Sequence, residues 1–186
     1  VFRIDELTAL RILDVSDAPA LFALTEANRE HLRRWLPWLD AVTREADTRA
    51  YLETVVRQRQ AGLGPVFGIE HEEVLAGVIG FHPLERFHRI GEIGYWLGES
   101  FQHRGIMTEC CRFLVRYGFQ TLDLNRIQIP VATGNRLSRA VPERLGFTLE
   151  GILREREYLN GAYVDHAMYA MLQSEFAAGR LAEPGR

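Results

Sequence analysis

Apolar and polar positions alternate through residues 8–15, a period of two that predicts a strand with one buried face. The period then lengthens. Ser16-Asp17-Ala18-Pro19 is a helix start, a capping side chain with proline in the first turn, and the helix it opens runs to about Asn28. Leu32, Trp35, Leu36 and Leu39 predict a second short helix, interrupted by Pro37. Asp47 caps a third, with Leu52, Val55 and Val56 on its apolar face and an end at Gly62 or Gly64. From residue 65 the pattern returns to strands: 65–71, a turn at Glu72-Glu73, 74–83, and 89–98 as the third member of a meander. A helix over 108–122, a strand over 126–132 and a helix over 135–145 follow. Segments 147–155 and 162–172 pair as a closing hairpin around Asn160-Gly161, a dipeptide suited to a tight turn. With no repeat and no linker, residues 1–176 form one domain, and the small, polar stretch 177–186 is expected to be a flexible tail.

Composition narrows the function. A chain of 186 residues has the length of one domain and can bury roughly 70% of its extended surface without a disulfide staple. Its 47% hydrophobic and 25% charged residues place it among soluble globular proteins. The net charge of −3 argues against direct nucleic-acid binding, which calls for a basic excess. The longest apolar run, 74–81, is strand-sized, far below the ~20 residues of a membrane span, and no secretory segment opens the chain. The chain starts at Val1 rather than Met, which leaves open whether native residues precede it. Cys110 and Cys111 are adjacent, so on a helix they point about 100° apart and cannot staple distant segments. The six histidines lack ligand spacing, and no metal is expected. A reducing cytoplasm is the compartment this implies.

One stretch stands out for its chemistry. Gln102-His103-Arg104-Gly105-Ile106-Met107-Thr108 joins a strand-like run to the start of a helix. The first N–H groups of a helix have no partner within it, and the helix dipole adds partial positive charge there. A glycine-bearing turn at that point lets backbone donors converge on an anion such as a pyrophosphate. A nucleotide-binding domain is a poor reading of the same turn, because no Gly-Lys-Ser/Thr follows the glycine and no acid is placed for Mg²⁺.

Five segments in order carry a resemblance: Glu92-Ile93-Gly94-Tyr95-Trp96-Leu97, Phe101-Gln102-x-x-Gly105-Ile106-Met107-Thr108, Leu124-Asn125-Arg126-Ile127, Thr133-Gly134-Asn135-x-x-Ser138, and Glu143-Arg144-Leu145-Gly146-Phe147-x-x-Glu150-Gly151. Together they resemble the GNAT superfamily of acyl-CoA N-acyltransferases, in its RimJ/RimL-type branch of ribosomal-protein N-terminal acetyltransferases. The resemblance implies an α/β (α+β) fold: a mixed, mostly antiparallel seven-stranded sheet flanked by helices and splayed between the fourth and fifth strands. It implies acetyl-CoA as cosubstrate in the splay, bound by the turn from Gln102 to Thr108, including His103 and Arg104. It also implies a primary amine acceptor, either a protein N-terminus or a small molecule, and homodimers with shared acceptor grooves. Gly94 within its strand suits a bulge or a close approach by another chain. Met107 departs from the family, whose phosphate motif ends in Gly or Ala. Its side chain must point away from the pyrophosphate. A CoA-binding module without chemistry is the alternative from another class.

Within the resemblance, backbone N–H groups near Trp96 and Leu97 serve the thioester carbonyl; without it, strand core is the favoured reading of both residues. Asn135 resembles the ligand of the pantetheine arm and is also a good N-cap. Ser138 resembles the proton donor to sulfur. Many superfamily members carry a tyrosine acid four residues further on, where this chain has Pro142. Inside a helix Pro142 removes the N–H that would bond the Ser138 carbonyl, a loss that a ligand or water at that carbonyl would offset; the plainer reading is that Pro142 sits after a short first turn. Glu157 is the first choice for general base and Glu92 the second; Glu157 also reads as part of a solvated cluster with Arg154 and Arg156. Trp35 and Trp38, around Pro37, read as an acceptor wall or as packing between helices and sheet. His82, His88, His103 and His166 carry no catalytic role in this reading. An α-amine near pKa ~8 is cheaper to deprotonate than a lysine near ~10.4, by ~3.4 kcal/mol, so one modest base suits a protein N-terminus.

Overall fold

The computed structural model describes residues 1–183. A two-residue strand, β1 (Phe2–Arg3), precedes β2 (Thr8–Ile12). Three helices follow: α1 (Ala18–Ala27), α2 (Arg29–Arg33) and α3 (Glu45–Gln60). The meander is β3 (Val66–His71), β4 (Val74–Phe81) and β5 (Ile90–Leu97). The chain continues through α4 (Ile106–Gln120), β6 (Arg126–Ala132), α5 (Arg136–Leu145), β7 (Thr148–Leu159), β8 (Ala162–Leu172) and α6 (Gln173–Ala177). All eight strands join one sheet, in the order β1-β2-β3-β4-β5-β6-β8-β7. The expected seven become eight because β1, too short for any periodicity, pairs with β2 at one edge.

Other boundaries shift for local reasons. The second helix ends at Arg33, and a separate 3-10 turn covers Leu39–Ala41, so the run through Trp35 and Pro37 is irregular. Asp47 lies in the first turn of α3 rather than at its cap, and its carboxylate accepts the N–H groups of Thr43 and Arg44 at 3.0 and 3.1 Å. β7 runs four residues past the expected 155, through a register shift between Leu153 and Glu157. The expected tail docks in part. α6 reaches Ala177, Leu181 is only 5% exposed, and the Ala182 N–H donates to Leu145. Residues 184–186 lie outside the described residues.

Neighbouring strands are antiparallel except β5 and β6, which run parallel and pair over only three residues, Ile90–Glu92 against Arg126–Gln128. Beyond them the strands part, and Pro130 supplies a reason. In β6 the odd-numbered residues turn their backbone toward β8: Asn125 accepts from Gln173, and Thr133 donates to Asp165. The even-numbered residues turn toward β5, as Arg126 does in donating to Arg89. Pro130 therefore faces β5 with no N–H to give, at the position where the ladder would continue. No bulge appears at Gly94, which pairs in register with Gly80. Its role is close approach, since a Cβ there would meet the His82 ring at 2.9 Å.

The sheet is covered on both faces. On one, α4 buries Ile106, Cys110, Leu114 and Val115 against Phe67, Ile93, Ile127 and Ile129. On the other, α1 and α3 bury Leu21, Leu52 and Val55 against Val66, Val78 and Trp96. Both cysteines are free and buried, and burial pushes the Cys110 thiol up to about 12. They serve the core as small apolar groups.

Candidate active site

The parting of β5 and β6 opens a cleft of about 900 Å³. One end is the turn into α4. His103 and Gly105 both adopt left-handed backbone, with φ of 62° and 78°. Glu109 is the first residue of α4 to bond back, to the Gly105 carbonyl, so the N–H groups of Ile106, Met107 and Thr108 stay outside the helical ladder. A Cβ at Gly105 would meet nothing within 4 Å, so the donors open onto free space. Met107 packs its side chain into the core, which keeps the turn clear as its length requires. The Gln102 side chain bonds His31 of α2 at 2.9 Å, tying the turn to the helical layer. Gln102, His103 and Gly105 to Thr108 line the cleft, and Arg104 is exposed outside its wall.

β5 contributes a second set of donors. The backbones of Glu92 and Gly98 bond β4, through the His82 N–H and the Ala76 carbonyl. By alternation Trp96 also faces β4, and beyond the last pair with β6, Glu92 with Gln128, Tyr95 and Leu97 turn their N–H groups into the gap. Of the two residues expected to serve a carbonyl, Leu97 presents its N–H, and Tyr95 presents the other rather than Trp96.

The side chains divide by sheet face. On the α4/α5 face, Asn135 caps α5 by accepting the Ser138 N–H at Oδ1, 3.1 Å away, which leaves its amide nitrogen outside that bond. Pro142 lies inside α5 and frees the Ser138 carbonyl. That carbonyl accepts the Tyr95 phenol at 2.9 Å, and the Ser138 hydroxyl donates back to the phenol oxygen at 3.3 Å. The partner expected to be a ligand or water is thus a tyrosine from β5. Burial pushes the Tyr95 phenol well above its ordinary range, so it keeps its proton. Sequence periodicity gave no sign of this residue. The usable signal was the carbonyl that Pro142 leaves without a partner.

The opposite face carries the acids. Glu157 accepts from the His166 ring, with Nε2 and Oε2 3.2 Å apart. Glu92 accepts the Gln128 amide at 2.9 Å, and the His82 ring is 4.0 Å from its other oxygen. Trp35 and Trp38 stand on the same side. Trp35 lies against Gly134, whose Cβ would be 3.5 Å from its ring, and Trp38 is 41% exposed. Glu157, Glu92, Ser138, Asn135, Trp35 and Trp38 all line the cleft. Arg156 lines it too, whereas Arg154 lines a separate surface hollow, so the imagined charge cluster is split. Among the described residues no group of three or more His, Cys, Asp or Glu side chains is placed to hold a metal ion. No helix there is long and apolar enough to cross a membrane.

Unpaired helix-end donors at a turn open to solvent, continuous with unpaired strand donors, fit a long ligand with a diphosphate at one end and a carbonyl at the other. Comparison with known proteins agrees. The family profile described as Acetyltransferase (GNAT) domain matches residues 8–148. The ribosomal-protein-serine acetyltransferase of Escherichia coli (strain K12) is 35% identical over 170 residues, 91% of this chain and 95% of that protein. The [ribosomal protein uS5]-alanine N-acetyltransferase of the same organism is 27% identical over 176 residues, covering 92% and 90%. Among solved structures, RimL, a ribosomal L7/L12 alpha-N-protein acetyltransferase in complex with coenzyme A, superposes with a TM-score of 0.89 at 35% identity. That match covers 92% of this chain and 97% of the other.

Proposed function

The chain belongs to the GNAT acetyltransferase family, and from that premise we propose that it transfers an acetyl group from acetyl-CoA to the α-amine of a protein N-terminus, of the ribosomal-protein type. The observation that carries this reading is the division of the cleft. Carboxylates that accept protons, Glu157 and Glu92, stand on one sheet face, and hydroxyls that hold protons, Ser138 and Tyr95, stand on the other. Acyl transfer needs a proton removed from the incoming amine and one delivered to the departing sulfur, and the two tasks fall on opposite sides of the transferred group.

Acetyl-CoA, when bound, supplies the activated acetyl group. The α4 N-terminus from Gly105 to Thr108 holds its diphosphate, Asn135 its pantetheine arm, and the Tyr95 and Leu97 N–H groups its carbonyl. Glu157 takes the amine proton, with Glu92 as second candidate, and Ser138 would supply the proton that the departing thiolate takes up. Trp35 and Trp38 wall the acceptor side. A cytoplasmic setting follows from acceptors of ribosomal type. Exposed Leu149 and Ile152 on the edge strand β7 support pairing of two copies.

The test is release of CoA thiol from acetyl-CoA with a panel of N-terminal peptides, lysine peptides blocked at the α-amine, and small amines. N-terminal peptides are expected to turn over fastest. Small amines reacting faster than every peptide would replace the acceptor class, and tight CoA binding without turnover on any amine would overturn the reading. Glu157→Gln is expected to lower kcat by ~10²–10⁴. Turnover within threefold of wild type would remove Glu157 as base.

A further inference from the structure

We propose that His166 is a positioning residue for the transfer reaction, holding Glu157 in the orientation in which it takes the amine proton. This rests on the assignment of Glu157 above. The two side chains meet through the hairpin geometry. Glu157 pairs with Val164, so His166, two residues on along β8, is its diagonal neighbour on the same face. Both line the cleft.

Hydrogen-bond bookkeeping fixes the direction of the contact. His166 Nε2 lies 3.2 Å from Glu157 Oε2, and Nδ1 is buried with no partner among the described residues. With its proton on Nε2, the ring donates to the carboxylate and leaves a bare lone pair at Nδ1. With its proton on Nδ1, two lone pairs would face each other at Nε2, and a buried N–H would go unpaired. The first arrangement satisfies the stronger interaction, a hydrogen bond to a charged group. The His166 side chain is 13% exposed and that of Glu157 is 26% exposed, so the ring is the fixed element and the carboxylate the one it steers. One carboxylate oxygen is anchored, and Oε1 is left for the acceptor. The proton taken from the ammonium breaks an N–H bond of the acceptor and forms an O–H bond on Glu157. His166 gains and loses nothing in that step.

The test combines replacement, rescue and a double-mutant cycle. His166→Leu is expected to lower kcat by about tenfold to a hundredfold, the size of one charge-assisted hydrogen bond. KM for acetyl-CoA and the thermal shift caused by CoA should stay unchanged, which also shows that the variant folds. His166→Gln, whose side chain ends in an N–H donor, should recover most of the loss. In the Glu157→Gln background, His166→Leu should cost little more. Full additivity with Glu157→Gln, or the same loss in His166→Gln as in His166→Leu, would overturn the inference. An unchanged His166→Leu beside an inactive Glu157→Gln would overturn it alone. A near-normal Glu157→Gln would instead remove the base assignment on which it rests.

Discussion

The missing N–H of Pro142 decides what Tyr95 does. An interior helical proline leaves one carbonyl without its usual donor, and a buried carbonyl left alone costs about 1–3 kcal/mol. Tyr95 meets that need from another element, and its phenol thereby sits on Ser138. Tyr95→Phe is therefore expected to destabilise the protein by about 1–3 kcal/mol in urea unfolding. In a Pro142→Ala background, where the helix supplies its own N–H, the same change should cost less than about 1 kcal/mol. Equal costs in both backgrounds would show that the carbonyl is not the point of coupling. At this scale the sequence was legible where residues share a motif: Ser138, Asn135 and the Gln102–Thr108 turn entered through segments that resemble the family's, and all three border the cleft. The roles of Tyr95 and His166 were not legible, because their partners are remote in the chain or reached only through strand register. The Asn160-Gly161 turn did contain the His166 signal. A tight turn there sets Glu157 opposite Val164, and counting two residues further would have found the ring.

Among the elements, the α4 entrance is the most exacting. Gly105 is left-handed, and any side chain there pays about 1–2 kcal/mol in backbone strain. A Cβ there would meet no neighbour within 4 Å, so the cost is the backbone's own and falls on the turn that presents the donors. Gly105→Ala should raise KM for acetyl-CoA by about tenfold or more while leaving KM for the peptide nearly unchanged. A change confined to the peptide term would contradict the placement of the anion site. The helix itself begins two residues before the periodic reading placed it. Ile106 and Met107 look like turn residues in a phosphate motif, yet both are core. The short β1 and the split second helix escaped for the opposite reason, being too short or too irregular to show a period.

For the molecule as a whole, acid should be the sensitive condition. Glu150 occupies a bulge in β7 and reaches across β8 to Arg126 of β6 through two bonds of 2.8 and 2.6 Å. The Arg126 guanidinium holds the Glu150 carboxyl below its ordinary range. Asp17 is pushed up by burial, but hydrogen bonds from Arg11 and the Asp14 N–H more than offset this and hold it low. A carboxylate with a depressed folded pKa adds stability that is complete above its unfolded value, near ~4, and is lost as pH falls through the folded one. Urea midpoints should therefore be flat from pH 7 to about 5 and drop toward pH 3. Glu150→Gln should lower the midpoint at pH 7 by no more than ~1 kcal/mol equivalent, since the pair is partly exposed, and should make the acid drop shallower. A steeper drop in the variant would contradict the sign. Strand order was the part of the architecture that periodicity could not give. That β8 inserts between β6 and β7 depends on chain crossings, which neither the periodicity nor the resemblance specified.

Pro130 bears on timing as well as shape. A doorway framed by a residue incapable of latching needs no key to open it, so an arriving cosubstrate finds vacancy rather than resistance. Stopped-flow mixing with coenzyme A should accordingly give one exponential whose rate climbs linearly with concentration. A plateau would mean that a slow unbolting step comes first, and that the hinge of this enzyme's readiness lies somewhere other than its proline.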